Sequence, residues 1–198
     1  FEREDRRGTI DTLCKNTRNI LSMDSVLPSV AHYKYQRTNE NVSYKFTNSQ
    51  LKESIFNAIE VSNVIDWTSA VDEYIKYLVE RTELVGEVDD DVYDFAHKTF
   101  YEYFLALFFS MQLESNRLQR QLTKWIGDAN NHELAQLIIE KIIESGDIFK
   151  QKEILEYLFN SIDSKEKFGK RRDMLFLITE LYNGNMLPPK YYDKYYMP

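Results

Sequence analysis

Between Tyr93 and Phe109 the chain reads Tyr-Asp-Phe-Ala-His-Lys-Thr-Phe-Tyr-Glu-Tyr-Phe-Leu-Ala-Leu-Phe-Phe, and this stretch restricts the fold more than any other. Its periodicity changes midway. Leu84–Val88 and Val92–Ala96 are two short β-rich runs around the polar triplet Asp89, Asp90 and Asp91, which predicts a hairpin. Beyond them Phe100, Phe104, Leu107, Phe108 and Met111 recur at three- and four-residue spacing, as one face of a helix requires. Tyr103, Leu105 and Phe109 widen that face almost to the full circumference, so the helix is expected to be buried on most sides. Thr99 and Glu102 have capping-box spacing, which places the helix start at Thr99. Just ahead of it, His97 is expected to be a buried imidazole bonded to backbone or carboxylate. It would pin strand to helix; a proton-transfer role would also need a pocket and a partner nucleophile.

Three further helices are expected before the hairpin. Val26, Leu27, Val30, Ala31, Tyr33 and Tyr35 mark one over residues 24–36, capped by Asp24 or Ser25, with Pro28 tolerable only in its first turn. Asn39-Glu40-Asn41 interrupts the pattern. Thr47 and Gln50 form a second capping-box spacing, opening a helix with Leu51, Ile55, Phe56 and Ile59 on one side. The third follows Asp66 and carries Trp67, Val71, Tyr74, Ile75, Leu78 and Val79. Three helices and then a hairpin is the order of a winged helix.

Past residue 115 the character changes to helical hairpins. Leu118, Leu122, Trp125 and Ile126 form one amphipathic segment, ended by residues 127–131. Leu134, Leu137, Ile138, Lys141 and Ile142 form a second, ended at Ser145-Gly146. A third carries Ile148, Ile154, Leu155, Leu158, Phe159 and Ile162; a fourth carries Met174, Leu175, Leu177, Ile178 and Leu181 and closes at Asn183-Gly184. Stacked pairs of this length suit the start of an α-solenoid, although no exact repeat period is present. The expected fold is therefore mainly α: a linker or end of a preceding domain over 1–22, a winged-helix domain with its capped core helix over 23–114, and a helical, solenoid-like domain over 115–198. The tail from Tyr191 to Tyr196 reads either as the start of another helix or as surface.

Charge narrows the function classes. The net charge is −7, and residues 61–100 hold 10 acidic and 3 basic residues, so the remaining 22 of each sign cancel. A DNA-phosphate surface needs the opposite sign around a recognition helix, which here would be residues 66–82 with Asp66, Asp72, Glu73 and Glu80 against Lys76 and Arg81. Cys14 is the sole cysteine, which excludes an internal disulfide and fits a reducing cytoplasm. His32, His97 and His132 lie far apart without second ligands at metal-site spacing, so no metal is expected. Asp89, Asp90 and Asp91 read as a solvated hairpin tip, because consecutive side chains point different ways. The basic residues Lys165, Lys167, Lys170, Arg171 and Arg172 read as a solvent face, with a phosphate or partner contact as the alternative. No run approaches the roughly 18 apolar residues of a membrane span.

Phe95, His97, Thr99, Phe100, Glu102, Tyr103 and Ala106 sit at matching positions of a phrase reading Phe-x-His-x-Thr-Phe-Gln-Glu-Tyr-hydrophobic-Ala-Ala in the NACHT-type STAND (NLR-like) ATPases, and this stretch resembles it. Tyr101 stands for the usual Gln and Leu105 for the usual Ala. Leu27-Pro-Ser-Val-Ala31 and Leu78-Val-Glu-Arg-Thr-Glu-Leu-Val85 resemble the segments that precede the hairpin in that family. The resemblance implies the regulatory segment of a cytoplasmic switch that follows a nucleotide-binding domain. The parent protein would hold ADP when closed, open on recognising an activating ligand, exchange for ATP and form a homo-oligomer, in bacteria commonly for defence against phage. This segment has no phosphate loop, its six glycines being too scattered to cradle phosphate, and it is not expected to act as an enzyme by itself. No catalytic or nucleotide-contacting residue is assigned; ATP or ADP is expected only in the parent protein. The expected partner is the upstream nucleotide-binding domain, with no membrane and no nucleic acid. Two other readings stand beside it: an α-helical scaffold, which leaves the hairpin unexplained, and a winged-helix DNA-binding regulator.

Overall fold

The computed structural model describes residues 23–38, 43–58, 67–128, 130–163 and 168–191. The expectations for residues 1–22, for Asn39-Glu40-Asn41, for Ile59, Asp66, Lys165 and Lys167, and for the tail beyond Tyr191 lie outside these residues. The chain is mainly helical with one small antiparallel sheet, and it divides into two compact units, residues 1–105 and 106–198.

The first unit runs α1 (Met23–Arg37), β1 (Phe46–Thr47), α2 (Asn48–Ala58), α3 (Trp67–Tyr77), a π-helical turn (Leu78–Thr82), β2 (Val85–Asp89), β3 (Val92–Phe95) and the first half of α4 (Lys98–Gln112). Val26, Leu27, Val30 and Ala31 of α1 are fully buried. Pro28 falls in the second turn of α1, not the first as expected, since the helix begins at Met23. An interior proline costs about 3 kcal/mol, and burying a Val or Leu side chain returns about 1.5–3 kcal/mol each, so the apolar face decides the matter. The Thr47 box forms as expected: Gln50 N–H donates to Thr47 Oγ1 at 3.3 Å and Thr47 N–H to Gln50 Oε1 at 2.9 Å. It opens α2, whose Leu51 and Ile55 are fully buried.

The hairpin also forms where expected. β3 lies between β1 and β2, with Phe46 opposite Tyr93, Thr47 opposite Val92, and Val85 opposite Phe95. A bulge between Glu87 and Asp89 sets Val88 out of register, and Asp91 closes the turn in the left-handed region at φ 55°. The π-helical turn takes in one extra residue per hydrogen bond, and Glu83 leaves it at φ 54°.

The start of α4 departs from expectation. The Thr99 box does not form. The His97 carbonyl accepts the Phe100 and Tyr101 N–H groups at 3.1 and 3.3 Å, so the helix opens at Lys98 and Thr99 is an exposed first-turn residue. The reason is the carboxylate of Glu102: it pairs with Lys98 Nζ, one turn before it, at 3.0 Å in an i,i+4 geometry, and does not bond the Thr99 N–H. The buried face of α4 is also rotated from the expected stripe. Phe104, Leu105, Ala106 and Phe109 are buried, Phe100, Leu107 and Phe108 are half-buried, and Met111 is exposed.

The second unit holds the rest of α4, then α5 (Ser115–Ile126), α6 (His132–Glu144), α7 (Ile148–Asp163), α8 (Phe168–Asn183) and a 3-10 turn at Pro189–Tyr191. Most of the apolar positions that the spacing predicts are buried: Leu118, Leu122, Trp125, Ile126, Leu134, Ile138, Ile142, Ile154, Leu155, Leu158, Phe159, Met174, Leu177, Ile178 and Leu181, while Leu137 is half-buried and Ile139, outside the predicted stripe, is fully buried. Ile148 and Leu175, assigned to the same stripes, are instead exposed. Ile148 is the first residue of α7, a position on the helix rim, not its seam. α5 packs against α6, α7 and α8 in turn. Asp147 caps α7 by accepting the Lys150 N–H at 3.0 Å, and Gly146 supplies the left-handed turn before it at φ 74°. Among the described residues no helix is long and apolar enough to cross a membrane.

Candidate functional site

The feature of the first unit that hydrophobic patterning does not account for is a buried cation. Lys34 occupies the apolar face of α1, eight residues after Val26 and four after Val30, and is only 4% exposed. Its ammonium has three donors and uses all of them. They go to Asp94 Oδ1 at 2.7 Å, to Ser43 Oγ at 3.1 Å and to the Tyr44 carbonyl oxygen. The ammonium also lies 5.5 Å from the centre of the Tyr101 ring, within cation–π range. Asp94 is tied in turn, since the same Oδ1 accepts the Phe95 N–H at 2.8 Å.

Aromatic rings surround this pair, leaving Lys34 4% and Asp94 20% exposed. The Phe95 ring lies tilted against those of Tyr101 and Phe104 at centroid distances of 5.7 and 6.3 Å. On the other side Tyr33, Tyr44 and Phe46 form a triad with centroids 5.4–6.2 Å apart. Burial pushes the Tyr101 hydroxyl well above its usual pKa, with Tyr35, Glu102 and Asp94 adding to the shift. Tyr33 donates to Glu53 Oε2 at 3.0 Å; burial first, and that bond second, push its pKa up to about 12. The Arg37 guanidinium covers the Tyr33 ring at 3.3 Å. Removing one partner of such a buried, hydrogen-bonded pair leaves an uncompensated charge, at a cost of about 3–5 kcal/mol. With its three donors engaged, the Lys34 ammonium has none left for a substrate. Chemically the knot is a tie between α1, the approach to β1, β3 and α4.

The residues singled out from sequence fall around this knot. Phe95 is in its shell. His97 is exposed, contrary to the buried imidazole expected; its carbonyl starts α4 while its ring rests edge-on against Phe100 at 5.4 Å. Glu102 is buried, Tyr103 packs edge-on against Phe104 at 5.2 Å, and Ala106 is fully buried. Thr99 and Phe100 lie on the outer side of the first turn, exposed and half-buried. Lys34, Ser43, Tyr44 and Asp94 belong to no motif or spacing in the sequence. A lysine on an otherwise apolar helical stripe was the available signal for the first of them; the partner sixty residues away had none.

The surfaces where a winged helix would meet DNA are acidic or internally paired. Asp72 on α3 pairs with Lys52 on α2 at 2.6 Å, and Lys76 lies 3.8 Å from Glu80. At the hairpin tip the carboxylates serve the turn, Asp89 Oδ1 accepting from Asp90 N–H at 2.9 Å and Glu87 Oε1 from Asp91 N–H at 3.1 Å. Among the described residues no three His, Cys, Asp or Glu side chains converge as a metal site would. In the second unit Lys150 Nζ reaches two carbonyls at the C-terminal end of α4, Ser110 O at 2.5 Å and Leu113 O at 2.7 Å. No protein-family model, curated protein or solved structure matches this chain.

Proposed function

We propose that this chain is the winged-helix and helical regulatory segment of a NACHT-type STAND switch protein, coupling ligand sensing to nucleotide-dependent opening and homo-oligomerisation of its parent. The observation that carries the reading is the junction at residues 92–106, where a hairpin strand turns through His97 directly into an aromatic helix and is tied back to the first helix by Lys34 and Asp94. The element order supports it as well: helix, short strand, two helices and a hairpin is the winged-helix order. So does the charge, since an acidic α3 and an acidic wing suit a protein-facing module and oppose DNA phosphates. In this reading the segment performs no catalysis; nucleotide binds upstream, and the segment contributes contacts that differ between the closed and open parent.

The test is to recover the coding sequence upstream of Phe1, express the whole polypeptide and measure the nucleotide that survives desalting. A phosphate loop upstream and stoichiometric retained ADP are expected. A full-length chain with neither overturns the proposal, and salt-sensitive duplex binding by the segment would transfer it to the DNA-regulator reading.

A further inference from the structure

The geometry points to Lys34 as a latch on a detachable edge strand, β1. That strand has only two residues in the sheet, and such a ladder is marginal by itself. One of its two amide groups is diverted, because Thr47 N–H donates to Gln50 Oε1 in the capping box of α2. Phe46 is nearly fully buried, and its ring packs against Tyr33 on α1 and Tyr44 on its own approach, so it anchors β1 to α1.

The tie to β3 comes from the ammonium. With Phe46 opposite Tyr93, the antiparallel register would next set residue 45 opposite Asp94 and residue 44 opposite Phe95. The ladder stops short of those positions. Lys34 Nζ stands there instead, bonded to the Tyr44 carbonyl on one side and to Asp94 Oδ1 on the other. A side chain from α1 thus supplies the missing rung. Asp94 is 20% exposed while Lys34 is 4% exposed, so the latch opens from the β3 side. Release would free the edge of β3 while leaving α2, whose cap is local, and the β2–β3 pairing in place.

The inference stands independently of the switch reading, and peptide-resolved hydrogen exchange on the whole chain tests it. In Lys34→Met, which keeps the stem and removes the ammonium, amides in segments 43–47 and 92–95 should exchange roughly tenfold faster or more, as loss of charge-assisted bonds implies. Segments in α3 and in the second unit should keep their wild-type rates. Unchanged exchange in both strands, or an equal acceleration through α3, overturns the latch. Should Lys34→Met fail to fold by far-ultraviolet circular dichroism, Asp94→Asn retains a neutral acceptor and should accelerate the same two segments to a lesser degree. No acceleration there, or acceleration through α3 as well, overturns it equally.

Discussion

Lys150 joins two helices in a way a single substitution can measure. Its backbone N–H sits in the first turn of α7 on Asp147, while its ammonium donates to Ser110 O and Leu113 O at the end of α4. A cation at a helix C-terminus answers both the unsatisfied carbonyls and the negative end of the dipole. Lys150→Met preserves the stem and deletes the donors. Each bond to a charged donor contributes about 1.5–3 kcal/mol, but the site is half-buried, so water recovers part of the loss and the removed charge no longer has to be desolvated. The expected net destabilisation of the second unit is about 1–2 kcal/mol, a five- to thirty-fold change in its unfolding constant. The chain has two tryptophans. With Trp67→Phe as background, Trp125, which is 4% exposed and 4.9 Å from Phe109, reports the second unit alone in a urea titration.

The pH arm is sharper. Burial holds the Lys150 ammonium below its usual pKa of 10.5, with Asp147 opposing the shift. The folded chain therefore releases that proton before the unfolded chain does. Stability must then rise with pH across the interval below 10.5, because the neutral amine still carries donors for both carbonyls. The gap between the parent and Lys150→Met should widen toward that pH. An unchanged urea midpoint at neutral pH, or a gap that narrows on alkalinisation, refutes the reasoning.

The two capping-box spacings make opposite predictions in thermal or urea melts. Thr47→Ala should destabilise the first unit by about 1 kcal/mol, whereas Thr99→Ala should stay within about 0.5 kcal/mol of the parent, since Thr99 caps nothing. Leu122→Ala, at a fully buried position of α5, should cost the second unit about 2–5 kcal/mol and leave the first unit's transition in place. Tyr33 titrates at about 12, so its contribution is complete below pH 10 and is lost as pH rises from 10 toward 12. Tyr33→Phe should reduce the alkaline loss of the first unit by that share and leave the part due to Tyr101 and Tyr93, whose pKa values burial also raises, read by ultraviolet absorbance of tyrosinate together with circular dichroism.

Legibility from sequence followed the range of each interaction. The hairpin around Asp89–Asp91, the Thr47–Gln50 box and the four seams after residue 115 were readable because period and cap are local properties. The start of α4 lies one residue before the position the spacing predicts, for a local reason as well: two neighbours compete for the Glu102 carboxylate, and Lys98 wins over the Thr99 amide. The rotation of the α4 face, from Phe108 and Met111 toward Leu105 and Phe109, is set by what the helix meets, which spacing cannot encode. Pro28 was tolerated one turn too deep because four buried neighbours outweigh it. The Lys34 knot was the least legible part, its acceptors lying nine, ten and sixty residues away.

The wide turn at Leu78–Thr82 has a consequence for how this chain came to be and how it can be altered. A π-helical turn takes up one additional residue locally, so the segments on either side of it keep their directions. Excising one residue there would return the backbone to ordinary helical winding and leave Val85, 2% exposed, facing the interior. The same deletion inside the regular part of α3 would instead swing all that follows by roughly 100° about the axis. The hairpin's inward and outward positions should therefore survive a one-residue deletion at Leu78–Thr82 and be lost on one in α3.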